Sequence, residues 1–214
     1  QQFYLDLKKQ AKFVNYFKNR NTTKFDFYKN WELAFEDDFL ADSLNDEKWS
    51  TCGFVAEKLL GKNYSMPGDK HFLTSGENIR CGGKLCIDVK REKQIAQVWN
   101  VASGFVPKEM EYSTGIVSSG KSFWQENGIF EAKIKFNPIK QVVNSFYLLG
   151  DKNSPRVNLL EMGTKNRIGF SSLDKQGKIK HTGLDISTLK KGEFYIFSLE
   201  KQGKEFTWKI NDLE

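Results

Sequence analysis

Residues 128–136 read Gly-Ile-Phe-Glu-Ala-Lys-Ile-Lys-Phe, in which Phe130, Ala132, Ile134 and Phe136 alternate with three charged residues. Alternation with a period of two places the two sets of side chains on opposite faces of an extended strand. The stretch therefore predicts a β-strand with one face against a core and the other face in solvent.

The same alternation recurs in three other parts of the chain. Apolar side chains occupy every second position of residues 85–89, 195–199 and 206–210. Residues 201–204, Lys-Gln-Gly-Lys, separate the last two runs and are typical of a hairpin turn. Many short alternating strands joined by glycine-containing turns predict an all-β protein, a sandwich of two antiparallel sheets.

The beginning of the chain has a different period. Its apolar side chains are spaced by three and four residues: Tyr4, Leu7, Ala11, Val14 and Phe17. This spacing predicts a short amphipathic helix within residues 1–19. We therefore expect a helical segment or linker over residues 1–23 and the sandwich domain over residues 24–214.

Composition excludes several classes of protein. The 18 Phe, 7 Tyr and 5 Trp, with a hydrophobic content of 39%, exclude a disordered chain. No apolar run approaches the roughly 18 residues of a membrane helix. The net charge is +6, but only 5 of the 33 basic residues are Arg, whereas nucleic-acid readers concentrate Arg. We expect no transmembrane segment and no nucleic-acid partner; an anionic glycan suits the charge better.

The cysteines and histidines do not form a recognisable metal site. Cys81 and Cys86 are not at zinc spacing, and the two histidines are far apart in sequence. Together with Cys52 they make an odd number of cysteines. We interpret them as small core residues and leave open whether two of them form a disulfide.

Five segments carry a further pattern. They are Trp-Glu-Leu-Ala-Phe-Glu-Asp-Asp-Phe (31–39), Tyr-Ser-Thr-Gly-Ile-Val-Ser-Ser (112–119), Asn-Gly-Ile-Phe-Glu-Ala-Lys-Ile-Lys (127–135), Phe-Tyr-Leu-Leu (146–149) and Thr-Trp-Lys-Ile-Asn-Asp (207–212). In this order they resemble strands of the family-16 glycoside hydrolases, the β-glucanase and laminarinase family. The resemblance implies a concanavalin A-like jelly roll that handles polysaccharides, although a fold does not fix a function.

The resemblance has two further implications. Family members continue beyond the segment at residues 207–212 with further strands. The resemblance therefore leaves three alternatives for this chain: a domain truncated at its C-terminus, a missing edge strand, or an N-terminal segment that covers the gap. Family members also often bind calcium away from the cleft, so Asp37, Asp38 and Asp42 are candidates for a structural calcium site, although no EF-hand-type loop is present. We expect no cofactor that is required for function.

The catalytic strand of the family reads Glu-x-Asp-x-x-Glu, with the first Glu as nucleophile and the last as acid/base. The matching residues here are Arg156, Asn158 and Glu161. The spacing implies a β-bulge at residues 159–160, which returns Glu161 to the face that carries the other two. A retaining glycosidase needs two carboxylates about 5–5.5 Å apart. Arg156 cannot be the nucleophile, because a guanidinium has no lone pair to offer.

We therefore predict a carbohydrate-binding domain without family-type hydrolysis. Arg156 offers a planar fork for a sugar carboxylate or sulfate, and its charge favours the ionised form of Glu161, whereas a general acid must hold a proton. Two alternatives stay open. One is an active endo-glycosidase with a relocated nucleophile, for which the candidates are Glu109, Glu126 and Asp151; the other is a structural domain in which Arg156 and Glu161 form an ion pair.

Three aromatic residues are candidates for stacking on sugar rings: Trp99, Trp124 and Tyr147. Aromatic faces bury the apolar C–H face of a sugar and leave its hydroxyls free for hydrogen bonds. Ordinary packing is the alternative for each of them. A glycan-binding function and the resemblance together imply a secreted, periplasmic or cell-surface protein.

Overall fold

The computed structural model describes residues 31–135, 139, 141–151, 156–163, 167–173, 178–185, 189–190 and 192–211. The chain divides into two compact units, residues 1–38 and residues 39–214. In the first unit the described residues, 31–38, form neither helix nor strand. The predicted N-terminal helix and the predicted boundary after residue 23 lie outside the described residues.

The described part of the second unit consists of β-strands and one short helix. Helix α1 spans Phe54–Leu60. The strands are β1 His71–Leu73, β2 Ile79–Arg80, β3 Cys86–Ile87, β4 Lys90–Asn100, β5 Gly104–Thr114, β6 Gly128–Lys135, β7 Asn144–Leu149, β8 Arg156–Met162, β9 Arg167–Leu173, β10 Ile179–Asp185, β11 Phe194–Gln202 and β12 Glu205–Ile210.

Two antiparallel sheets face each other across the main core. One has the strand order β10-β9-β8-β7 and the other has the order β12-β11-β6. Leu160 and Met162 of β8 pack with Phe197 of β11 between the sheets, and all three side chains are almost fully buried. Ile134, from the alternating strand at residues 128–135, packs against the same cluster. The predicted all-β sandwich is confirmed.

A third sheet has the order β1-β5-β4 and its own small core. Strands β4 and β5 form a long antiparallel hairpin, whereas β1 pairs with β5 in parallel. The parallel pair is an exception to the antiparallel arrangement that the sequence predicted. The core of this sheet consists of Phe72, Ala96, Val98 and Met110.

The alternating runs differ in how much strand they form. The predicted turn at residues 201–204 joins β11 to β12, with Gly203 in the left-handed region at φ 58°. The run at residues 85–89 forms only the two-residue strand β3, paired with β2. It stops at Asp88, whose backbone N–H and carbonyl are both bound by Asn78, at 2.8 and 3.0 Å. The N–H bond continues the ladder of β2 and β3 by one step, whereas the Asp88 carbonyl accepts from the Asn78 side chain and not from a strand backbone.

Candidate functional site

Strand β8 carries the predicted β-bulge. Its pairing with β7 sets Phe146 opposite Leu160 and Tyr147 opposite Asn158, so Leu159 has no register partner on β7. The pairing with β9 shifts in the same place. An extra residue in one strand reverses the alternation of side chains, so every residue after it lies on the face opposite to the one that strict alternation predicts. Leu160 therefore points into the core, and the next residue returns to the outer face.

Arg156 and Glu161 form an ion pair on that outer face. Arg156 Nη2 donates to Glu161 Oε2 at 2.6 Å. The two side chains are only 28% and 13% exposed, so water screens the pair less than it screens a surface pair. The ion pair that the sequence left as an alternative is thus present, and it joins the two ends of the motif.

Tyr147 lies against the same guanidinium. The Arg156 Cζ atom stands 4.8 Å from the centroid of the Tyr147 ring, within the range of a cation–π contact. A carboxylate and an aromatic ring therefore both hold Arg156. This double contact fixes the direction in which its remaining N–H groups point.

His181 is a neighbour that sequence reasoning missed. Its Nε2 atom lies 3.6 Å from Glu161 Oε1, the carboxylate oxygen that Arg156 does not contact. The sheet register places His181 level with Arg156, because His181 pairs with Ser171, which in turn pairs with Arg156. The Glu161 side chain, which binds Arg156, therefore also comes near His181. No spacing in the sequence predicts this neighbour, because His181 is on β10 and strand β9 lies between β10 and β8.

A side chain of the opposite sheet forms a hydrogen bond to the bulge of β8. The indole N–H of Trp208, on β12, donates to the backbone carbonyl of Asn158 at 2.9 Å. The sequence predicted only that Trp208 is a core residue. Asn158 is 1% exposed, so a ligand on this face meets Tyr147, Arg156 and Glu161 before it meets Asn158.

The other two predicted aromatic residues lie on other elements. Trp99 is near the end of β4, is 37% exposed and packs its ring 5.1 Å from that of Phe105. Trp124 is in the loop before β6, is 52% exposed and donates its indole N–H to the carbonyl of Gly120 at 2.5 Å. Among these three described aromatics, Tyr147 is the one whose ring lies over Arg156.

Several solved structures share this architecture. The catalytic domain of a laminarinase from Thermotoga maritima MSB8 has a TM-score of 0.63 and 17% identity, and the match covers 86% of this chain and 76% of that chain. A non-specific endo-β-1,3(4)-glucanase from family GH16 has a TM-score of 0.61 and 15% identity, with coverages of 85% and 69%. The fold is that of the family-16 glycoside hydrolases.

A κ-carrageenase from Pseudoalteromonas carrageenovora, solved with an oligotetrasaccharide of κ-carrageenan, is similar to this chain at a lower TM-score. Its TM-score is 0.53 at 15% identity, with coverages of 86% and 78%. No protein-family model matches the sequence, and no curated protein does either. At these identities the likeness establishes the family-16 fold and leaves the activity to be argued from the site.

The three carboxylates that could replace the missing family-16 nucleophile lie outside β8. Glu109 is on β5, in the third sheet, and is paired with Lys93 at 3.0 Å on an exposed surface. Glu126 lies in the loop before β6, and Asp151 lies just after β7; both are exposed. None of them belongs to the strand that carries Glu161.

The remaining chemistry-bearing residues are dispersed. The cysteines are half-buried and carry thiols rather than disulfides: Cys52, Cys81 and Cys86. Within the described ranges no three His, Cys, Asp or Glu side chains are grouped to hold a metal ion. Calcium at Asp37, Asp38 and Asp42 therefore stays a prediction from the resemblance. No helix in the part of the chain that the structure describes is long and apolar enough to span a membrane.

Proposed function

We propose that the protein binds a polysaccharide or oligosaccharide on the outer face of β8 and does not cleave it. The observation that carries this proposal is the 2.6 Å contact between Arg156 and Glu161. These residues stand at the two positions where the family-16 motif has its paired glutamates. A cation and an anion joined in this way form a recognition surface rather than an acid and a nucleophile.

The chemistry of retaining hydrolysis argues against turnover at this pair. That reaction needs a carboxylate to attack the anomeric carbon and a protonated carboxyl to release the leaving group. The Arg156 guanidinium only donates hydrogen bonds. Glu161 accepts the donor of Arg156 on one oxygen and has His181 near the other. The oxygen that would have to protonate a leaving group is thus already engaged with the cation at the nucleophile position.

The same groups suit the binding of a glycan. The guanidinium has five N–H donors, and the contact to Glu161 is made through Nη2. One Nη2 hydrogen remains, and with the hydrogen of an adjacent nitrogen it can meet a carboxylate or sulfate in a bidentate manner, while the other N–H groups can meet sugar hydroxyls. The half-buried Tyr147 ring beside it supplies apolar surface for the C–H face of a sugar.

The net charge of +6 and the position of Arg156 favour an anionic glycan over a neutral one. The composition does not indicate a nucleic-acid partner. Because extended polysaccharides of this kind lie outside the cytoplasm, we also place the protein in a secreted, periplasmic or cell-surface setting.

A glycan array tests the proposal, with the full chain probed against β-1,3-glucan, β-1,3/1,4-glucan, agarose, carrageenan and alginate. We expect selective binding to one class, weakened by about fivefold to tenfold in Tyr147→Ala, because the loss of a packed aromatic surface costs about 1–1.4 kcal/mol. Binding to no member of the panel, or equal binding by wild type and Tyr147→Ala, contradicts the proposal and leaves a structural domain as the better account.

A further inference from the structure

The hairpin of β4 and β5 buries one face and leaves apolar side chains in solvent on the other. Ala96 and Val98 point into the core of the third sheet and are less than a tenth exposed. The alternate positions on β4 behave differently, since Ile95 is 71% exposed and Trp99 is 37% exposed. Ordinary two-faced strands place polar residues at such positions. The exposed apolar side chains on this face of the hairpin therefore depart from the usual pattern.

The exposed face is a narrow strip that spans both strands. In the register of the hairpin, three cross-strand pairs share this face: Trp99 with Phe105, Gln97 with Pro107, and Ile95 with Glu109. We call these six residues the hairpin strip. At the end near Ile95, Glu109 is paired with Lys93 at 3.0 Å. The strip thus runs from an aromatic pair, past an amide, to an ion pair.

The aromatic end of the strip is rigid. The ring of Phe105 lies between the rings of Tyr64, at 5.0 Å, and Trp99, at 5.1 Å, both in edge-to-face geometry. The backbone N–H of Trp99 donates to the carbonyl of Ser65 at 3.0 Å, and the N–H of Ser65 donates to the carbonyl of Gln97 at 2.8 Å. A ring fixed in this way loses little side-chain entropy when a ligand stacks on it.

We propose that the hairpin strip is a second glycan-binding surface, which holds part of a polysaccharide other than the units bound at β8. Trp99 takes the apolar face of a sugar ring, and the Gln97 amide, two residues away on the same face, takes hydroxyls. This inference rests on the proposed function, because the occupant is another stretch of the same polysaccharide. The surface belongs to the third sheet, which has no backbone pairing with β8 among the described strands.

The size of the strip favours a glycan over a protein partner. From Ile95 to Trp99 the strand rises about 14 Å, and two strands with their side chains are about 10 Å wide, which gives on the order of 150 Å². A stable protein interface needs about 800 Å² on each partner. An amide and a carboxylate also interrupt the apolar surface, as hydroxyl-rich ligands require.

The test compares a long polysaccharide with a short oligosaccharide of the same repeat, the class being taken from the glycan array. Trp99→Ala should weaken binding of the polysaccharide by about tenfold and leave the oligosaccharide unchanged, because one stacked ring contributes about 1–1.5 kcal/mol. Tyr147→Ala should weaken both. Phe194→Ala removes an aromatic side chain that is 49% exposed on β11 and serves as the matched control, with no change expected.

The variants separate this inference from the proposed function. Wild-type affinity of Trp99→Ala for the polysaccharide overturns the hairpin strip, while loss of binding in Tyr147→Ala still supports the site on β8. Loss of binding only in Trp99→Ala overturns the site on β8 and keeps the strip. Self-association that depends on Trp99, with no effect on glycan affinity, makes the strip a protein contact and also overturns the inference. Trp99→Phe keeps an aromatic ring at this position, so it should retain most of the affinity for the polysaccharide.

Discussion

At position 156 a guanidinium stands where the family-16 motif has its nucleophile, and it lies 2.6 Å from the remaining Glu161. The motif spacing alone predicted that a bulge would bring these two residues to one face, and the register of β8 has that bulge. Sequence reasoning could not find His181 beside Glu161, because that contact depends on the pairing of three strands. It also missed the hydrogen bond from Trp208, since a core tryptophan and one that fastens a carbonyl look alike in sequence.

The first prediction at the residue scale concerns the choice of ligand. Arg156→Ala should weaken binding to anionic glycans by about 10- to 100-fold and spare neutral ones, because a hydrogen bond to a charged group contributes about 1.5–3 kcal/mol. Arg156→Lys keeps the charge but loses the planar fork, so its affinity for anionic glycans should lie between that of the wild type and that of Arg156→Ala. Calorimetry with a matched anionic and neutral pair measures this. Equal losses for both ligands would mean that Arg156 does not read charge.

The second prediction at this scale concerns Cys52. Burial raises the pKa of its thiol, the nearby Glu57 carboxylate raises it further, and the Lys121 ammonium opposes both. Because the thiolate is the reactive form, Cys52 should react with iodoacetamide at pH 8 more slowly than free cysteine does. Glu57→Gln should speed the reaction, and unfolding in urea should bring it to the rate of free cysteine. Labelling followed by peptide mass spectrometry gives the rates; a native rate that equals that of free cysteine argues against this environment.

At the scale of single elements, alternation predicted β6, β11 and β12 because the face of each strand against the core is continuous. It failed at residues 85–89, where only Cys86 and Ile87 form strand β3 and the carbonyl of Asp88 accepts from the side chain of Asn78. Helix α1 was not predicted because it has seven residues, no side-chain cap at its start and one buried residue, Val55. Such a segment carries too little apolar periodicity to stand out.

One prediction at this scale concerns the bulge of β8. Trp208→Phe keeps an aromatic ring but leaves the Asn158 carbonyl without its 2.9 Å donor. Loss of a hydrogen bond to a buried acceptor should lower the free energy of unfolding by about 1–3 kcal/mol. Glycan affinity should fall with it, because the bulge positions Glu161. Urea denaturation is the measurement, and Phe194→Leu, on a neighbouring strand, should change stability by less than about 0.5 kcal/mol. Equal effects of the two substitutions on the free energy of unfolding would mean that the hydrogen bond from Trp208 does not stabilise the bulge.

Another prediction at this scale concerns β2 and β3. Arg80 donates hydrogen bonds at 2.7 and 2.8 Å to the two carboxylate oxygens of Asp88, which holds the pKa of Asp88 below its usual value. The unfolded chain then binds more protons than the folded chain in acid, so this contribution is present above the ordinary pKa of Asp and is lost as the pH falls through the lower folded value. Both groups are exposed, so the effect is small.

Asp88→Asn measures this contribution. The urea midpoint of the wild type should fall more steeply between pH 5 and pH 2 than that of Asp88→Asn, and the two midpoints should converge at the acid end. Parallel curves for the two proteins would show that the pair contributes nothing to stability.

For the whole molecule, the order of five short segments was enough to predict the sandwich, because each segment matches one strand of a known jelly roll. The segments at residues 127–135, 146–149 and 207–212 form strands β6, β7 and β12 in that order, and the segment at residues 112–119 begins at the end of β5. The first segment, residues 31–39, was expected to be the opening strand and forms neither helix nor strand. The structure also has the parallel pairing of β1 with β5, which no local pattern predicts because parallel partners are distant in sequence. The activity could not follow in the same way. A fold does not fix a function, so the absence of cleavage stays a proposal that rests on Arg156 and Asn158 of β8.

The most direct test of the central claim is a long incubation of the wild-type protein with the glycan that it binds most tightly, with new reducing ends counted over time. We predict none above the buffer control, with Glu161→Gln indistinguishable from the wild type. New reducing ends that appear with the wild type and disappear in Glu161→Gln would contradict the claim, and would mean that another carboxylate acts as nucleophile opposite Glu161.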